Sequence, residues 1–228
     1  MNDWPKKSAG PLIDHATSIL EASGIFENPY FRALRSGEMG LPRFESSQQQ
    51  FYFAVSYFSR PMSALMMRID CPRRRLSILE NIVEEHGGFN HDRFHETTFL
   101  AFLEQLGASA PPNQVEMRPP VQAFNAALMG VCSQGELAVG IACLGMVEFA
   151  FASISSIIGQ AVTERNWVAA DKLIHYNLHA ELDIAHATEF FQLVESEWAN
   201  TATRGFVQQG LELGTYLFDR LYRDLQAA

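Results

Sequence analysis

The chain has 228 residues, of which 47% are hydrophobic and 19% are charged. This composition is ordinary for a soluble globular protein, and the length suffices for one well-buried core. Acidic residues outnumber lysine and arginine by 26 to 17, so the formal net charge is −9. Because no basic stripe runs along the sequence either, we expect no nucleic acid among its partners.

Cysteine usage indicates a reducing compartment. The sequence contains Cys71, Cys132 and Cys143 and no CxxC pair. Free thiols without a disulfide framework are typical of cytosolic proteins. We therefore expect a cytoplasmic location.

Helical apolar spacing runs through most of the chain, and no segment has a convincing strand pattern. The expected helices cover residues 12–22, 29–34, 44–68, 74–86, 92–106, 121–132, 136–163, 167–198 and 205–225. Pro61 should kink the third of them. The Pro-rich stretch 108–120 is the main predicted loop. The sequence thus predicts an all-α bundle of seven to nine helices, with residues 1–228 in a single domain and a crossover at about 107–120.

One segment is apolar enough to suggest a membrane span. Residues 137–162 carry Glu148 as their single charge, and their length would cross a bilayer. A carboxylate at the centre of a spanning helix costs roughly 2.5–3.5 kcal/mol on insertion scales, whereas an all-apolar helix also suits the middle of a soluble bundle. We favour the buried helix and expect no membrane partner. In that setting Glu148 needs a partner, a proton or a metal ion.

The most informative motif is the triplet His179-x3-Asp183-x2-His186. Positions i, i+4 and i+7 of a helix lie close to one line along one face. Three potential metal ligands therefore point the same way. The Asp183–His186 spacing of three is also the carboxylate–histidine spacing of helical di-iron sites.

A second group of potential ligands lies upstream in the sequence. Glu84 and His91 are seven residues apart and would share a face of an unbroken helix. Gly87 and Gly88 stand between them, and each glycine weakens a helix by about 1 kcal/mol relative to alanine. We expect a loose turn here that lets a metal site open and close.

Neighbouring residues leave the ligand assignment open at this point. Glu85 and His86 could replace their neighbours as ligands, and His95 and His175 add further four-residue histidine spacings. Such spacings arise by chance, and a single His or Glu on a helix is usually a surface residue or a satisfied core residue. The combination of residues is stronger evidence for a metal site than any one of them, because three separate helices each supply carboxylate or imidazole groups.

Together these residues resemble the heme-oxygenase-like di-iron oxidases and oxygenases, which share their fold with thiaminase-II-like and pyrroloquinoline-quinone-synthase-like proteins. The resemblance runs from Asn28–Phe31 to the last helix and rests on the order and spacing of six positions. It implies a heme-oxygenase-like helical bundle without heme. The metal ligands that it implies are Glu84, His91, Glu148, His179, Asp183 and His186.

The activity that the resemblance implies is oxidation of a small organic substrate by O2 at two Fe(II) ions. The irons would reduce O2 to a bridging peroxo-diferric species, which then transfers oxygen to nitrogen or cleaves C–H or C–C bonds. Related proteins act on fatty acids, amino acids or aromatic amines. The implied ligands contain three carboxylates, which nearly neutralise two ferrous ions and so make a buried site tolerable. Imidazole and carboxylate ligands also suit iron or manganese better than a thiolate-selecting metal.

One position departs from the resemblance. Some relatives build para-aminobenzoate from one of their own tyrosines, and several carry a tyrosine after the first-helix proline motif. This chain has Phe31 there, with Tyr30 beside it, and no lysine follows Glu148 within its helix. Self-sacrificing tyrosine chemistry is therefore not expected.

The substrate pocket is expected among aromatic residues, with Tyr57, Phe58, Arg60 and Phe149 as its candidates. Arg60 would either anchor a substrate carboxylate or face water beside Pro61, and the second interpretation is favoured. Aromatic stripes at helical spacing are more often plain core.

Two other functions remain open. A thiaminase-II-like hydrolase would need a cysteine nucleophile beside a carboxylate, and Cys143 lies five residues before Glu148, which is poor helical spacing for a pair. A non-catalytic binding protein would keep the fold but has no need for the full ligand set. The expected partners are a small-molecule substrate, an external electron donor and, as a homodimer, a second copy of the chain.

Overall fold

The computed structural model describes residues 10–108 and 114–227. Within these ranges the chain forms α-helices, short 3-10 segments and no strand. The α-helices in chain order are α1 (Pro11–Ser23), α2 (Pro29–Ser36), α3 (Leu41–Val55), α4 (Ser59–Met67), α5 (Leu76–Glu85), α6 (His95–Gln105), α7 (Pro119–Gln134), α8 (Leu137–Glu164), α9 (Ile174–Leu193), α10 (Glu195–Ala199) and α11 (Arg204–Ala227). The all-α prediction is confirmed.

Two predicted long helices are each divided in two. The segment 44–68 forms α3 and α4, and the segment 167–198 yields α9 and α10. If each divided pair is counted as one helix, the described residues contain nine helices, within the predicted range of seven to nine.

The first division lies elsewhere than predicted. The kink was expected at Pro61, but the helix breaks between Val55 and Ser59, so Pro61 lies in the first turn of α4. A proline ring clashes with the carbonyl four residues earlier, here that of Tyr57, and cannot donate a hydrogen bond to it. The break therefore precedes the proline.

Most other predicted bounds agree with the structure to within a few residues. Asn28 caps α2 by accepting a hydrogen bond from the backbone N–H of Tyr30 at 2.9 Å, as Asn commonly does. The predicted loop 108–120 is shorter, because Pro119 and Pro120 form the first turn of α7, where prolines fit without losing a hydrogen bond. Residues 109–113 of that loop lie outside the described residues.

The apolar helix α8 is the centre of the bundle. It packs mainly against α9 and α11, and most of its length is buried although its length and composition would also suit a membrane span. Glycines of α11 allow the close packing of α11 against α8. A Cβ atom added at Gly210 would lie 2.5 Å from the carbonyl oxygen of Val139, and a Cβ atom added at Gly214 would lie 2.5 Å from the carbonyl oxygen of Cys143. The structure therefore favours the core-helix interpretation.

A tight turn separates α5 from α6. Gly87, Gly88 and Phe89 have φ values of 59°, 62° and 68° in succession, a left-handed conformation that a non-glycine residue such as Phe89 rarely adopts. Alanine would not fit at Gly87, because its Cβ would lie 2.5 Å from the Arg93 carbonyl carbon. The helix that would place Glu84 and His91 on one face is thus interrupted.

Candidate metal centre

The facing sides of α8 and α9 bring three acidic and imidazole groups together. Glu148, Asp183 and His186 are all buried, and one ligand atom from each lies within 4.8 Å of those of the other two. Their helical spacing accounts for the arrangement, since Asp183 and His186 are three residues apart on one helix. Carboxylate and imidazole groups this close are ligands for a divalent cation.

Several polar atoms of this cluster have no hydrogen-bond partner among the described residues. They are Oδ2 of Asp183, Nδ1 of His186 and Nε2 of His179. An unsatisfied buried polar atom costs about 1–3 kcal/mol, so three in one cluster call for a missing partner. A metal ion fits this donor set.

A hydrogen bond within α9 orients two of these residues. Nδ1 of His179 lies 2.8 Å from Oδ1 of Asp183. The contact leaves Nε2 of His179 and Oδ2 of Asp183 as the unsatisfied atoms that could face an ion.

Burial raises the pKa values of both carboxyl groups in the cluster. Burial and the charge of Asp183 raise the pKa of Glu148 to about 8, and burial raises the pKa of Asp183 well above its ordinary value. Asn81 donates a hydrogen bond to Oε1 of Glu148 at 3.1 Å. A bound cation would oppose these shifts, because it stabilises the ionised carboxylates.

His186 connects the cluster to α5. Its Nε2 lies 2.5 Å from Oε2 of Glu84. Burial lowers the pKa of His186, but the hydrogen bond to Glu84 and the neighbouring carboxylates outweigh it and raise the pKa to about 9. The Glu84 side chain remains 48% exposed. This residue therefore lies at the edge of the centre.

The structure does not bring His91 to the centre. Its side chain is exposed and its ring stacks on Phe94, with 4.9 Å between the centroids. The interrupted helix is the reason, because His91 follows the left-handed turn instead of continuing the face of Glu84. Of the six predicted ligands, four lie in the buried centre, Glu84 lies at its edge, and His91 lies outside it.

Three buried residues that the sequence analysis did not assign lie beside this centre. Nδ1 of His95 lies 2.9 Å from Oε1 of Glu85, and the His95 ring packs against that of His179 with centroids 4.5 Å apart. His175 also packs on His179, at 4.3 Å between centroids. The four-residue histidine spacings were the available signal, but one sequence could not distinguish them from chance.

A small cavity of about 40 Å³ adjoins the centre. Its polar wall consists of Glu85, His95, Glu148, His175 and His179. The remaining lining is apolar and comprises Phe51, Ala54, Val55, Phe58, Phe124, Val147, Phe151 and Phe218.

Of the four predicted pocket residues, only Phe58 lines this cavity. Arg60 is exposed, with its guanidinium over the ring of Tyr57 at 5.1 Å. Phe149 packs against Phe191 with 6.0 Å between centroids. Tyr57, Arg60 and Phe149 are absent from the lining of this cavity, and their assignment to a substrate pocket stays a prediction.

Tyr30 and Phe31 are fully buried in the core. The Tyr30 hydroxyl lies 2.7 Å from the Ser47 hydroxyl and accepts a hydrogen bond from Gln48 at 2.8 Å. No tyrosine is among the described residues that line the cavity.

The fold is a helical bundle with a buried group of carboxylate and imidazole side chains that could hold a metal ion. The sequence matches the family described as iron-containing redox enzymes over residues 47–214. This match covers most of the chain, including the centre. The protein belongs to that family.

The chain is also similar to individual proteins and solved structures. The 4-aminobenzoate synthase of Chlamydia muridarum is 23% identical over 188 residues, which is 81% of this chain and 78% of that protein. A TenA homologue from Pseudomonas syringae superposes with a TM-score of 0.76 at 15% identity over 96% of each chain. A domain with a heme oxygenase-like fold from Shewanella denitrificans gives a TM-score of 0.73 at 14% identity over 94% of this chain and 90% of that one. The single heme-oxygenase-like domain is therefore confirmed.

Proposed function

We propose that this protein is a non-heme di-iron enzyme that uses O2 to oxidise a small organic substrate. The observation that carries the proposal is the buried cluster of Glu148, Asp183 and His186, whose ligand atoms converge within 4.8 Å. In a family of iron-containing redox enzymes, such a cluster is best explained as an iron ligand set. His179 completes it from the same face of α9.

Glu148, His179, Asp183 and His186 would supply ligands to the irons. The second ion needs further ligands from the α5–α6 side of the centre. The resemblance assigns that role to Glu84 and His91, and this assignment stays a prediction. The chemistry that two ferrous ions supply when bound is the two-electron reduction of O2.

The chain's own residues position the ligands and exclude water. Asn81 orients Glu148 through its hydrogen bond, and such outer contacts fix the ligand geometry. Phe51 and Phe151, whose rings lie 5.6 Å apart, close the apolar side of the cavity. Oxidation there is shielded from bulk water, which suppresses side reactions.

The cavity favours a small substrate that is mostly apolar and has one polar group. At about 40 Å³ the cavity must widen to admit an organic molecule; its apolar wall would then hold the body of that molecule, and its wall of carboxylate and imidazole groups would face the reacting end. Amines, amino acids and fatty acids remain the candidate classes. Whenever substrate oxidation supplies fewer electrons than full reduction of O2 to water requires, an external electron donor supplies the rest.

We do not extend 4-aminobenzoate synthesis from an internal tyrosine to this chain. The chlamydial relatives carry the name 4-aminobenzoate synthase, but the residue after Tyr30 is Phe31, and no tyrosine is found in the described lining of the cavity. A substrate that enters from solution accounts better for the cavity.

The cysteine-dependent hydrolase fits the site less well. Cys143 is fully buried and absent from the cavity lining. Burial raises the pKa of its thiol, whereas a nucleophilic cysteine needs a lowered pKa. A non-catalytic binding role does not account for the match to a family of iron-containing redox enzymes.

The proposal is tested by loading the protein with Fe(II) without oxygen and then mixing it rapidly with O2 while absorbance and O2 consumption are recorded. We expect a transient visible absorbance and stoichiometric O2 uptake in the wild type. Asp183→Ala and His186→Ala should abolish both. His15→Ala serves as the control, because His15 lies against Trp198 on another part of the bundle. A wild type that takes up no more O2 than the Asp183 variant would refute the proposal.

A further inference from the structure

We propose that Ser77, Asn81 and Glu189 line the route by which Fe(II) enters the metal centre, between α5 and α9. These residues belong to a narrow crevice that is separate from the cavity beside the centre, because the two share no lining residue. The inference rests on the proposed function and adds an entrance for the metal to it. The crevice is lined by Ser77, Ile78, Asn81, His186, Glu189 and Phe190.

Two side chains of the crevice are also part of the centre. His186 lines the crevice, and it contributes one of the three ligand atoms that converge within 4.8 Å. Asn81 lines the crevice as well, and its amide nitrogen donates a hydrogen bond to Oε1 of Glu148 at 3.1 Å. A cation in the crevice is therefore one side chain away from the ligands of the centre.

Oxygen-bearing side chains of α5 lead along the crevice to the centre. Ser77, Asn81 and Glu84 have the spacing i, i+4 and i+7, which places them close to one line along one face of the helix. Glu84 is the last of them, and its Oε2 lies 2.5 Å from Nε2 of His186. The face thus offers a cation successive oxygen ligands between the start of α5 and the centre.

Asn81 has a buried oxygen atom that lacks a partner. The residue is 2% exposed, and its Oδ1 forms no hydrogen bond within the part of the chain that the structure describes. A buried polar atom without a partner destabilises the fold, and amide oxygens are ligands for hard divalent cations. A cation in the crevice would supply the partner that this atom lacks.

Three carboxylates give the crevice a negative potential. Glu189 is half-buried, and the side chains of Glu80 and Glu189 form no hydrogen bond and no ion pair with the described residues. Burial raises the pKa of Glu189, and the charges of Glu80 and Glu84 raise it further against the opposing effect of His186. Carboxylates this close together attract cations, because a cleft lined by one sign of charge raises the local concentration of counter-ions.

The cavity beside the centre is a poorer entrance for a cation. Val55 and Phe58, which line it from the break between α3 and α4, are partly exposed, whereas the side chain of Glu85 is only 8% exposed. A hydrated ion that passes apolar side chains loses water without gaining ligands. We therefore assign the apolar side to the substrate and the acidic crevice to the metal.

The test measures the rate of Fe(II) uptake without oxygen. Metal-free protein is mixed with Fe(II), a strong ferrous chelator stops the reaction at intervals, and the iron that stays with the protein is counted. At low ionic strength the double variant Glu80→Gln/Glu189→Gln should load at least about ten times more slowly than the wild type, since electrostatic focusing raises association rates by about 10- to 1,000-fold. The final iron content should not change, and added salt should reduce the difference by screening.

Two further variants separate the route from a general charge effect. Glu181→Gln/Glu195→Gln removes the same charge from exposed positions outside the crevice, and it should load at the wild-type rate. Ser77→Phe narrows the crevice without a change of charge, and it should load slowly. Circular dichroism identifies any variant that fails to fold.

Three results would overturn the inference. They are a wild-type loading rate in the folded Glu80/Glu189 variant, a wild-type rate in folded Ser77→Phe, and a lower final iron content of the Glu80/Glu189 variant at saturating Fe(II), which would make these carboxylates ligands. Each leaves the proposed function standing, since the wild type still binds iron. A wild type that retains no more iron than Asp183→Ala removes the proposed function itself, and the inference with it.

Discussion

Nε2 of His186 lies 2.5 Å from Oε2 of Glu84, and this contact ties the metal-binding face of α9 to the end of α5. Glu84 is half-exposed and His186 is buried. The contact therefore marks the boundary between a rigid centre on α8 and α9 and the turn that follows Glu84.

The turn at residues 86–91 should be dynamic in metal-free protein and ordered in loaded protein. It contains three successive left-handed residues, and its side chains are exposed from residue 88 to residue 91; exposed segments of this kind open at low free energy. Hydrogen–deuterium exchange followed by mass spectrometry would detect fast exchange there without metal and slower exchange with Fe(II). The middle of α8 serves as a protected reference. Slow exchange across the turn in metal-free protein would contradict this expectation.

Metal binding should release protons. In metal-free protein the pKa values of Glu148 and His186 are raised to about 8 and about 9, so both groups carry a proton at neutral pH and must lose it to bind an ion. Affinity should increase with pH up to about pH 9 and then level off. Calorimetry in two buffers of different ionisation enthalpy counts the protons released. The Glu148→Gln variant should release fewer protons than the wild type. Binding heats that do not depend on the buffer would contradict proton release.

Asn81 should matter for metal affinity although it is not expected to bind the ion. Its amide is buried and donates to Glu148 at 3.1 Å. Loss of such a contact typically lowers metal affinity by about 10- to 100-fold, and we expect this of Asn81→Leu in a competition titration with a chelator. Asn125→Leu is the matched control, because that buried amide donates to the Phe53 carbonyl instead. Equal affinities in the two variants would exclude this role for Asn81.

Much of the fold could be predicted from the sequence because helix signals are local. Apolar spacing and proline positions located most helices, and local capping residues, Asn28 and Gly37, are found at the ends of α2. The division of segment 44–68 was misplaced because a proline perturbs the turn before it, and the sequence alone led us to place the kink at Pro61 itself.

The candidate site was predictable where its ligands share one continuous helix. His179, Asp183 and His186 follow from spacing alone, and Glu148 stands out as a lone charge in an apolar helix. Glu85 and His95 could not be selected, because their proximity depends on the conformation of the turn between two helices. Backbone geometry at Gly87 and Gly88 decides which side chains face inward.

Gly214→Ala should destabilise the protein without changing its chemistry. The added Cβ would lie 2.5 Å from the Cys143 carbonyl oxygen and 2.9 Å from the Met146 Cβ, and overpacking of this kind typically costs about 1–3 kcal/mol. A lower thermal midpoint is expected. Gly205→Ala, on the same helix with nothing within 4 Å, should not lower it. Equal midpoints for both variants would mean that α8 and α11 can separate at little cost.

The central claim is that two irons lie side by side in the centre formed by α5, α6, α8 and α9. Electron paramagnetic resonance of the iron-loaded, air-oxidised protein tests it most directly, since two neighbouring ferric ions couple magnetically. We predict that fully loaded wild type is nearly silent, while Asp183→Ala shows only adventitious iron. A strong signal from isolated high-spin ferric ions in the wild type, accounting for all bound iron, would contradict the claim.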